Sequence, residues 1–144
     1  MQLRRITAQD WPWIQRWFED QRLNEELGPL DQAWLDHVLH AEDSVQLVGV
    51  EGNAPVALIG CAWSLEAGGL HGITDIAVSP LSCGTGIGRR ALAAVVRWDG
   101  HPPAAGWVAF VDPENEDAYA FFTALVWRYH GLDDGMHRFE LSVS

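Results

Sequence analysis

The run Cys83-Gly84-Thr85-Gly86-Ile87-Gly88-Arg89-Arg90 follows an apolar stretch ending Ile76-Ala77-Val78-Ser79-Pro80 and precedes a helical pattern of Ile87, Ala91, Leu92 and Val95. Glycines at a strand-to-helix junction let successive backbone N–H groups point into one concavity, and the helix dipole adds positive potential there. Such a loop binds phosphate or pyrophosphate through the backbone alone. Two other meanings fail on spacing. A P-loop ends in Gly-Lys-Ser/Thr, and this chain has no Lys. A Rossmann fingerprint counted from Gly84 and Gly86 needs glycine where Arg89 stands, and this loop follows the fourth predicted strand instead of the first. A glycine turn used only for packing is the remaining alternative.

Asp75 lies in the strand that feeds this loop and shares a face with Ile73 and Ala77. A carboxylate there either faces a polar cleft or costs burial energy. The competing reading is a structural carboxylate paired with Arg or a backbone N–H. His71 and Glu66 flank the preceding hairpin and read first as exposed strand-end residues, with reach into the same cleft as the alternative. His37 and His40, with Asp36 adjacent, have metal-ligand spacing, but no third ligand set is evident and no metal is expected. Cys61 and Cys83 sit in unlike contexts and suggest reduced thiols in a cytoplasm. Cys83, beside a helix N-terminus, is a candidate low-pKa thiol.

The elements that must position these residues follow from periodicity and turn chemistry. Gln2 to Ile6 reads as a strand, and Asp10 with Pro12 opens a helix carrying Ile14, Trp17 and Phe18 that runs to about Asp20. Gln21 to Leu30 is polar and ends in the stop signal Gly28-Pro29. Asp31 caps a second helix with apolar face Trp34, Leu35, Val38 and Leu39. Val45 to Glu51 and Val56 to Glu66 are strands joined through Gly52-Asn53-Ala54-Pro55, and Leu70 to Val78 is the next. Ser79 to Thr85 is a loop, and a third helix ends near Trp98. A strand at Trp107 to Val111, a helix with Ala118, Phe121, Phe122 and Leu125, and strands Trp127 to His130 and Met136 to Val143 complete the order. This is an α+β or mixed α/β pattern, with helices on the faces of a sheet. With neither repeat nor linker, residues 1–144 read as a single domain.

Twenty acidic residues against nine Arg give a formal charge of −11, which repels nucleic acid and anionic lipid and attracts a cationic ligand. The longest apolar run, Val56 to Trp63, is too short to span a bilayer, so neither nucleic acid nor membrane is an expected partner. Trp11, Trp13, Trp17 and Trp34 lie among Glu19, Asp20, Glu25, Glu26, Asp31 and Asp36. Aromatic faces with carboxylates nearby favour an ammonium-bearing molecule. A solvated acidic loop is the competing account.

With these residues in view, the chain resembles the GCN5-related N-acetyltransferase (GNAT) superfamily over nearly its whole length. The family's pyrophosphate signature, Arg/Gln-x-x-Gly-x-Gly/Ala after a strand ending Val-x-Pro, corresponds to Val78-Ser79-Pro80 and Cys83 to Gly88. Asn115, Ala118 and Phe121-Phe122 look like its second cofactor motif. The resemblance implies a central, mostly antiparallel sheet of six to seven strands, splayed between its fourth and fifth strands and flanked by about four helices. It implies acetyl-CoA as co-substrate and transfer of acetyl to a primary amine of a small acceptor by direct attack on the thioester. Backbone groups of Ile76, Ala77 and Val78 would pair with the pantetheine arm, and amides of Gly84, Thr85, Gly86, Ile87, Gly88 and Arg89 would hold the pyrophosphate. Asn115 would contact the cofactor, and Asp75 would take a proton from the attacking ammonium through water. Cys83 stands where the family has Arg or Gln, and Phe122 where many members have a Tyr that protonates the leaving thiolate. Because the family transfers the acyl group directly, Cys83 is read as a spectator near the cofactor. A non-catalytic acyl-CoA-binding module is the alternative, and a homodimer is a candidate assembly.

Overall fold

The computed structural model of the protein describes residues 1–82 and 84–143. In chain order the elements are β1 (Gln2–Arg5), a 3-10 turn (Ala8–Asp10), α1 (Trp11–Trp17), α2 (Gln21–Leu27), α3 (Gln32–His40), β2 (Ser44–Glu51), β3 (Ala54–Ala62), and β4 (Leu70–Val78). A 3-10 turn (Pro80–Ser82), α4 (Ile87–Arg97), β5 (Gly106–Val111), α5 (Glu116–Thr123), β6 (Arg128–Asp133) and β7 (Met136–Ser142) follow. The strands form one sheet in the order β1-β2-β3-β4-β5-β7-β6. The β1–β2, β5–β7 and β6–β7 pairs are antiparallel, and β4–β5 is parallel. The α+β architecture anticipated from the sequence is present, with five α-helices among the described residues in place of about four.

The additional helix is α2, in the segment whose polarity reads as a loop. Its N-cap is Asp20, whose carboxylate accepts from the Leu23 N–H at 3.0 Å. Side-chain pairs one turn apart, Gln21 with Glu25 and Arg22 with Glu26, line its exposed side. Only Leu23 is buried, with Leu27 one turn on packed half-buried against the core, so a cap and local pairs support a short helix with a narrow apolar edge.

The chain condenses into two compact units. The first comprises Met1–Cys61 and Asp75–Asp99, the second Ala62–Thr74 and Gly100–Ser144. In the first, Ile14, Trp17, Leu23 and Leu35 from α1, α2 and α3 pack with Val48, Leu58 and Ala77 from the strands. Helix α4 buries Ile87, Ala91, Leu92 and Val95. Gly52 and Asn53 both have positive φ, 59° and 65°, the backbone of a tight two-residue hairpin joining β2 to β3.

At the start of the first unit, the buried carboxylate of Asp10 accepts from Arg4 at 2.8 and 2.7 Å, from the Thr7 N–H at 2.8 Å and from Trp13 Nε1 at 2.9 Å. Asp10 precedes α1 as expected, but its side chain ties β1 and the helix start together instead of capping α1.

In the second unit Trp107 and Phe139 are fully buried, and Phe122 stacks on Phe139 at 5.3 Å and meets Trp127 edge-on at 5.4 Å. His71 is also buried here, not exposed at a strand end as its position suggested; Glu66 is exposed. The His71 Nδ1 accepts from the Ser64 N–H at 2.9 Å and its Nε2 lies 2.7 Å from the Pro102 carbonyl. A carbonyl only accepts, so the ring is the neutral Nε2–H tautomer with both nitrogens committed. Trp63 and Trp107 meet its edges at 4.9 and 5.2 Å.

Candidate functional site

The glycine loop is built from the strand outward. At its entry the Ser79 N–H donates to the Val56 carbonyl at 2.9 Å, which anchors the end of β4, and Ser82 N–H closes the 3-10 turn on Ser79. Gly84 and Gly86 then take φ of +81° and +80°, left-handed backbone that non-glycine residues adopt at a cost. Gly86 is the N-cap of α4, and the first intrahelical bond runs from the Arg90 N–H to the Gly86 carbonyl at 3.1 Å. The N–H groups of Ile87, Gly88 and Arg89 therefore precede the helical ladder and have no intrahelical acceptor. Gly84, Thr85, Gly86 and Arg89 are exposed, Gly88 is half-buried, and Ile87 is buried as the anchor of the helix start. Backbone N–H groups left free at such a helix start, with the helix dipole behind them, are chemically suited to an anion. Cys83 lies outside the described residues.

Arg90 holds the loop from the next turn of α4. Its Nη1 donates to the Thr85 carbonyl at 3.0 Å, while its Nε and Nη2 each donate to Glu51 at 2.9 Å. The Thr85 hydroxyl donates to the Ser82 carbonyl at 2.6 Å. The glycines signal this loop in the sequence, but Glu51 lies 39 residues from Arg90 and its part carries no local signature.

Asp75, Ile76, Ala77 and Val78 form the last half of β4. Ala77 is buried in the helix-covered core and the other three are half-buried. The β4–β5 register pairs Leu70–Ile73 with Gly106–Ala109, four of the nine residues of β4. Asp75 accepts from Gln46 Nε2 at 3.1 Å. Gln46 is itself buried, a polar residue inside the apolar run Val45 to Val48, and that contrast is the signal by which the sequence could have flagged it.

The Cys61 thiol is pushed up to about 12, first by burial and then by the negative charge of Asp75. Cys61 is therefore expected to resist alkylation at pH 8 in folded Cys83→Ser protein and to react fully once unfolded. Labelling followed by intact mass checks this, and rapid native labelling would contradict it.

Asn115 and Phe122 belong to the second unit. Asn115 is the N-cap of α5, and its Oδ1 accepts from the Ala118 N–H at 3.0 Å. Phe122 is buried in the aromatic core of that unit.

The acidic residues around the first helices are partly occupied with local structure. Asp20 and Asp31 cap α2 and α3, Glu25 and Glu26 pair along α2, and Asp36 accepts from Gln32. Trp11 and Trp34 approach to 6.2 Å and Trp13 and Trp17 to 4.6 Å, as partners of the core. His40 Nδ1 lies 2.8 Å from the Asp36 carbonyl. Among the described residues no three His, Cys, Asp or Glu side chains are grouped as a metal site, and no helix is long and apolar enough to cross a membrane.

The acetyltransferase (GNAT) family model matches residues 3–125. No curated protein sequence matches the chain. Among solved structures, an acetyltransferase from Thermus thermophilus superposes with a TM-score of 0.81 at 19% identity, covering 99% of this chain and 96% of that one. The GNAT domain of S. lividans PAT gives 0.74 at 19% identity over 98% and 89% of the two chains. The aminoglycoside acetyltransferase AAC(6')-Ib, in complex with coenzyme A, gives 0.76 at 17% identity over 97% and 93%.

Proposed function

The chain belongs to the acetyltransferase (GNAT) family, and on that premise we propose that it moves an acetyl group from acetyl-CoA to a primary amine of a small, cationic acceptor. The observation that carries this is the left-handed Gly84 and Gly86 pair opening α4, with the first-turn amides outside the helical ladder. In this reading amides from Gly84 to Arg89 hold the pyrophosphate, and backbone groups of Ile76, Ala77 and Val78 pair with the pantetheine arm. Support for the latter is that the β5 register ends at Ile73. Cys83 and Phe122 border the cofactor without supplying a polar group, and Asn115 contacts it beside its capping role. Residues 1–144 serve as one acetyltransferase domain in the cytoplasm, with a homodimer as the candidate assembly and neither nucleic acid nor membrane as a partner. A net charge of −11 supports a cationic acceptor.

The amine nitrogen attacks the thioester carbonyl carbon, and the carbon–sulfur bond breaks to release CoA thiolate. Of the two protons the ammonium sheds on becoming an amide, one passes to Asp75 through water and the other goes to the departing thiolate. Asp75 accepts a hydrogen bond from the Gln46 side-chain amide, which helps to orient the carboxylate. Asp75→Asn is expected to lower kcat about 100-fold and flatten the acidic limb of the pH–rate profile, with acetyl-CoA affinity unchanged. Full turnover across pH would remove the base assignment.

Titration with acetyl-CoA and with CoA, following the fluorescence of the eight Trp and thermal stability, tests the cofactor site. A ligand at 100 times its Kd stabilises by about 2.7 kcal/mol. Saturable stabilisation, followed by thioester consumption with an amine panel, supports the transferase. Binding without consumption favours the acyl-CoA-binding module, and no binding by any CoA species overturns both.

A further inference from the structure

The two arginines that follow the last glycine of the loop are treated differently by the fold. Arg89 is exposed and makes no ion pair among the described residues. Arg90 is also exposed but makes three bonds to protein groups: a two-pronged grip on Glu51 at the end of β2, and a third bond to the Thr85 carbonyl between the two left-handed glycines. Thr85 in turn fastens to Ser82, so a continuous chain of bonds runs from Glu51 through Arg90 and Thr85 to the 3-10 turn.

We propose that Arg90, oriented by Glu51, is a positioning residue for the cofactor loop: it pins the Thr85 carbonyl away from the concavity so that the neighbouring amides face the anion. The proposal rests on reading the loop as the acetyl-CoA site. An N–H and a C=O of one peptide unit point in opposite directions, so fixing the Thr85 carbonyl also fixes the Gly86 N–H. Gly86 on its C-terminal side, with Gly84 before Thr85, gives this peptide unit freedom to rotate, and an unfastened loop would sample states in which the carbonyl faces the phosphate. Gly86 also leaves the space the guanidinium uses, since a Cβ there would sit 3.2 Å from Arg90 Nη1. The hydrogen bond from Arg90 holds the Glu51 carboxyl below the usual carboxylate range, so the partner stays ionised near neutrality.

The obvious rival is that Arg90 simply attracts phosphate by charge. The two accounts predict opposite signs for Glu51→Gln. Removing a carboxylate close to an anion site strengthens binding if charge is what matters. It weakens binding if Glu51 orients the guanidinium.

The experiment measures acetyl-CoA affinity for wild-type, Glu51→Gln, Arg90→Lys and Arg90→Gln protein. It also measures backbone order parameters of Gly84 and Gly86 in the ligand-free state. Glu51→Gln is expected to weaken acetyl-CoA binding about fivefold despite the lost negative charge, and Arg90→Lys to weaken it as much as Arg90→Gln. The KM for acetyl-CoA rises by a like factor while kcat at saturation holds, and order parameters at the two glycines fall from about 0.85 towards 0.6. Unchanged or tighter binding in Glu51→Gln, or full rescue by Lys, overturns the proposal. Should wild-type protein bind no CoA species, the cofactor reading fails, and with it the cofactor-positioning role. Order parameters in Glu51→Gln would still show separately whether the clamp orders the loop.

Discussion

Gly86→Val protein is expected to lose acetyl-CoA affinity by about 1,000-fold, from two or more charge-assisted hydrogen bonds to phosphate at about 1.5–3 kcal/mol each. Gly86 sits at φ +80° as the N-cap of α4, and a β-branched residue is a genuine outlier in that region. The chain relieves the strain by rotating the peptide units beside residue 86, which turns their N–H groups out of the concavity. The steric conflict with Arg90 Nη1 is minor by comparison, because the end of that side chain can move. The backbone strain alone costs stability of about 1–2 kcal/mol. Gly68→Val is the control, since Gly68 has φ +77° with no atom near its missing Cβ and lies outside the loop. Both variants should lose similar stability by thermal unfolding, while isothermal titration shows loss of acetyl-CoA binding only in Gly86→Val. Equal binding by the two would mean that the loop amides do not hold the cofactor.

Asp10→Ala is expected to destabilise the protein by about 2–4 kcal/mol, at the lower end of what breaking a buried pair costs because Arg4 is partly exposed. The substitution leaves the Thr7 N–H and Trp13 Nε1 without their acceptor and removes the link between β1 and the start of α1. Arg4→Ala should cost less, since Thr7 and Trp13 still donate to the carboxylate. Burial by itself raises the Asp10 pKa, but the bonds from Arg4, Thr7 and Trp13 outweigh it and hold the group below its ordinary value. The folded protein therefore favours the ionised form. Its contribution is complete above the unfolded value, about 3.9, and is lost as pH falls through the lower folded value. Urea unfolding between pH 3 and 7 should show wild-type stability falling at the acidic end, with a shallower fall in Asp10→Asn. Parallel curves would contradict this assignment.

How much of the molecule was legible depended on whether a signal was local. The hairpin turn at Gly52 and Asn53, the glycine loop and the apolar face of α4 are each specified within a few residues, and the order of elements along the chain followed from such signals. Helix α2 was missed because Asp20 and two side-chain pairs one turn apart support it, while its inward side is no more than buried Leu23 and half-buried Leu27. His71 was misplaced because a buried histidine looks like an exposed one until its partners are known. Those partners are Ser64, and Pro102 at a separation of 31 residues. The same limit hid Gln46 beside Asp75 and Glu51 beside Arg90, pairs 29 and 39 residues apart. The glycines of the loop were readable; the side chains bonded to it from elsewhere in the chain were not.

The first unit draws on two stretches of chain, and the boundary between them falls inside β4, at Asp75. A ribosome delivers the chain from one end, so this unit cannot close when Cys61 emerges. It waits for the residues through Asp99, an interval of roughly 2–8 s at about 5–20 residues per second. During that interval the apolar centre of β3, with Leu58 and Ile59, has no β4 half-strand beside it. Nascent chains paused between these points are the ones most exposed to aggregation and most in need of a chaperone. The glycine loop and the helix behind it are the last parts of this unit to be synthesised, so the unit and its glycine loop are completed together in the life of the chain.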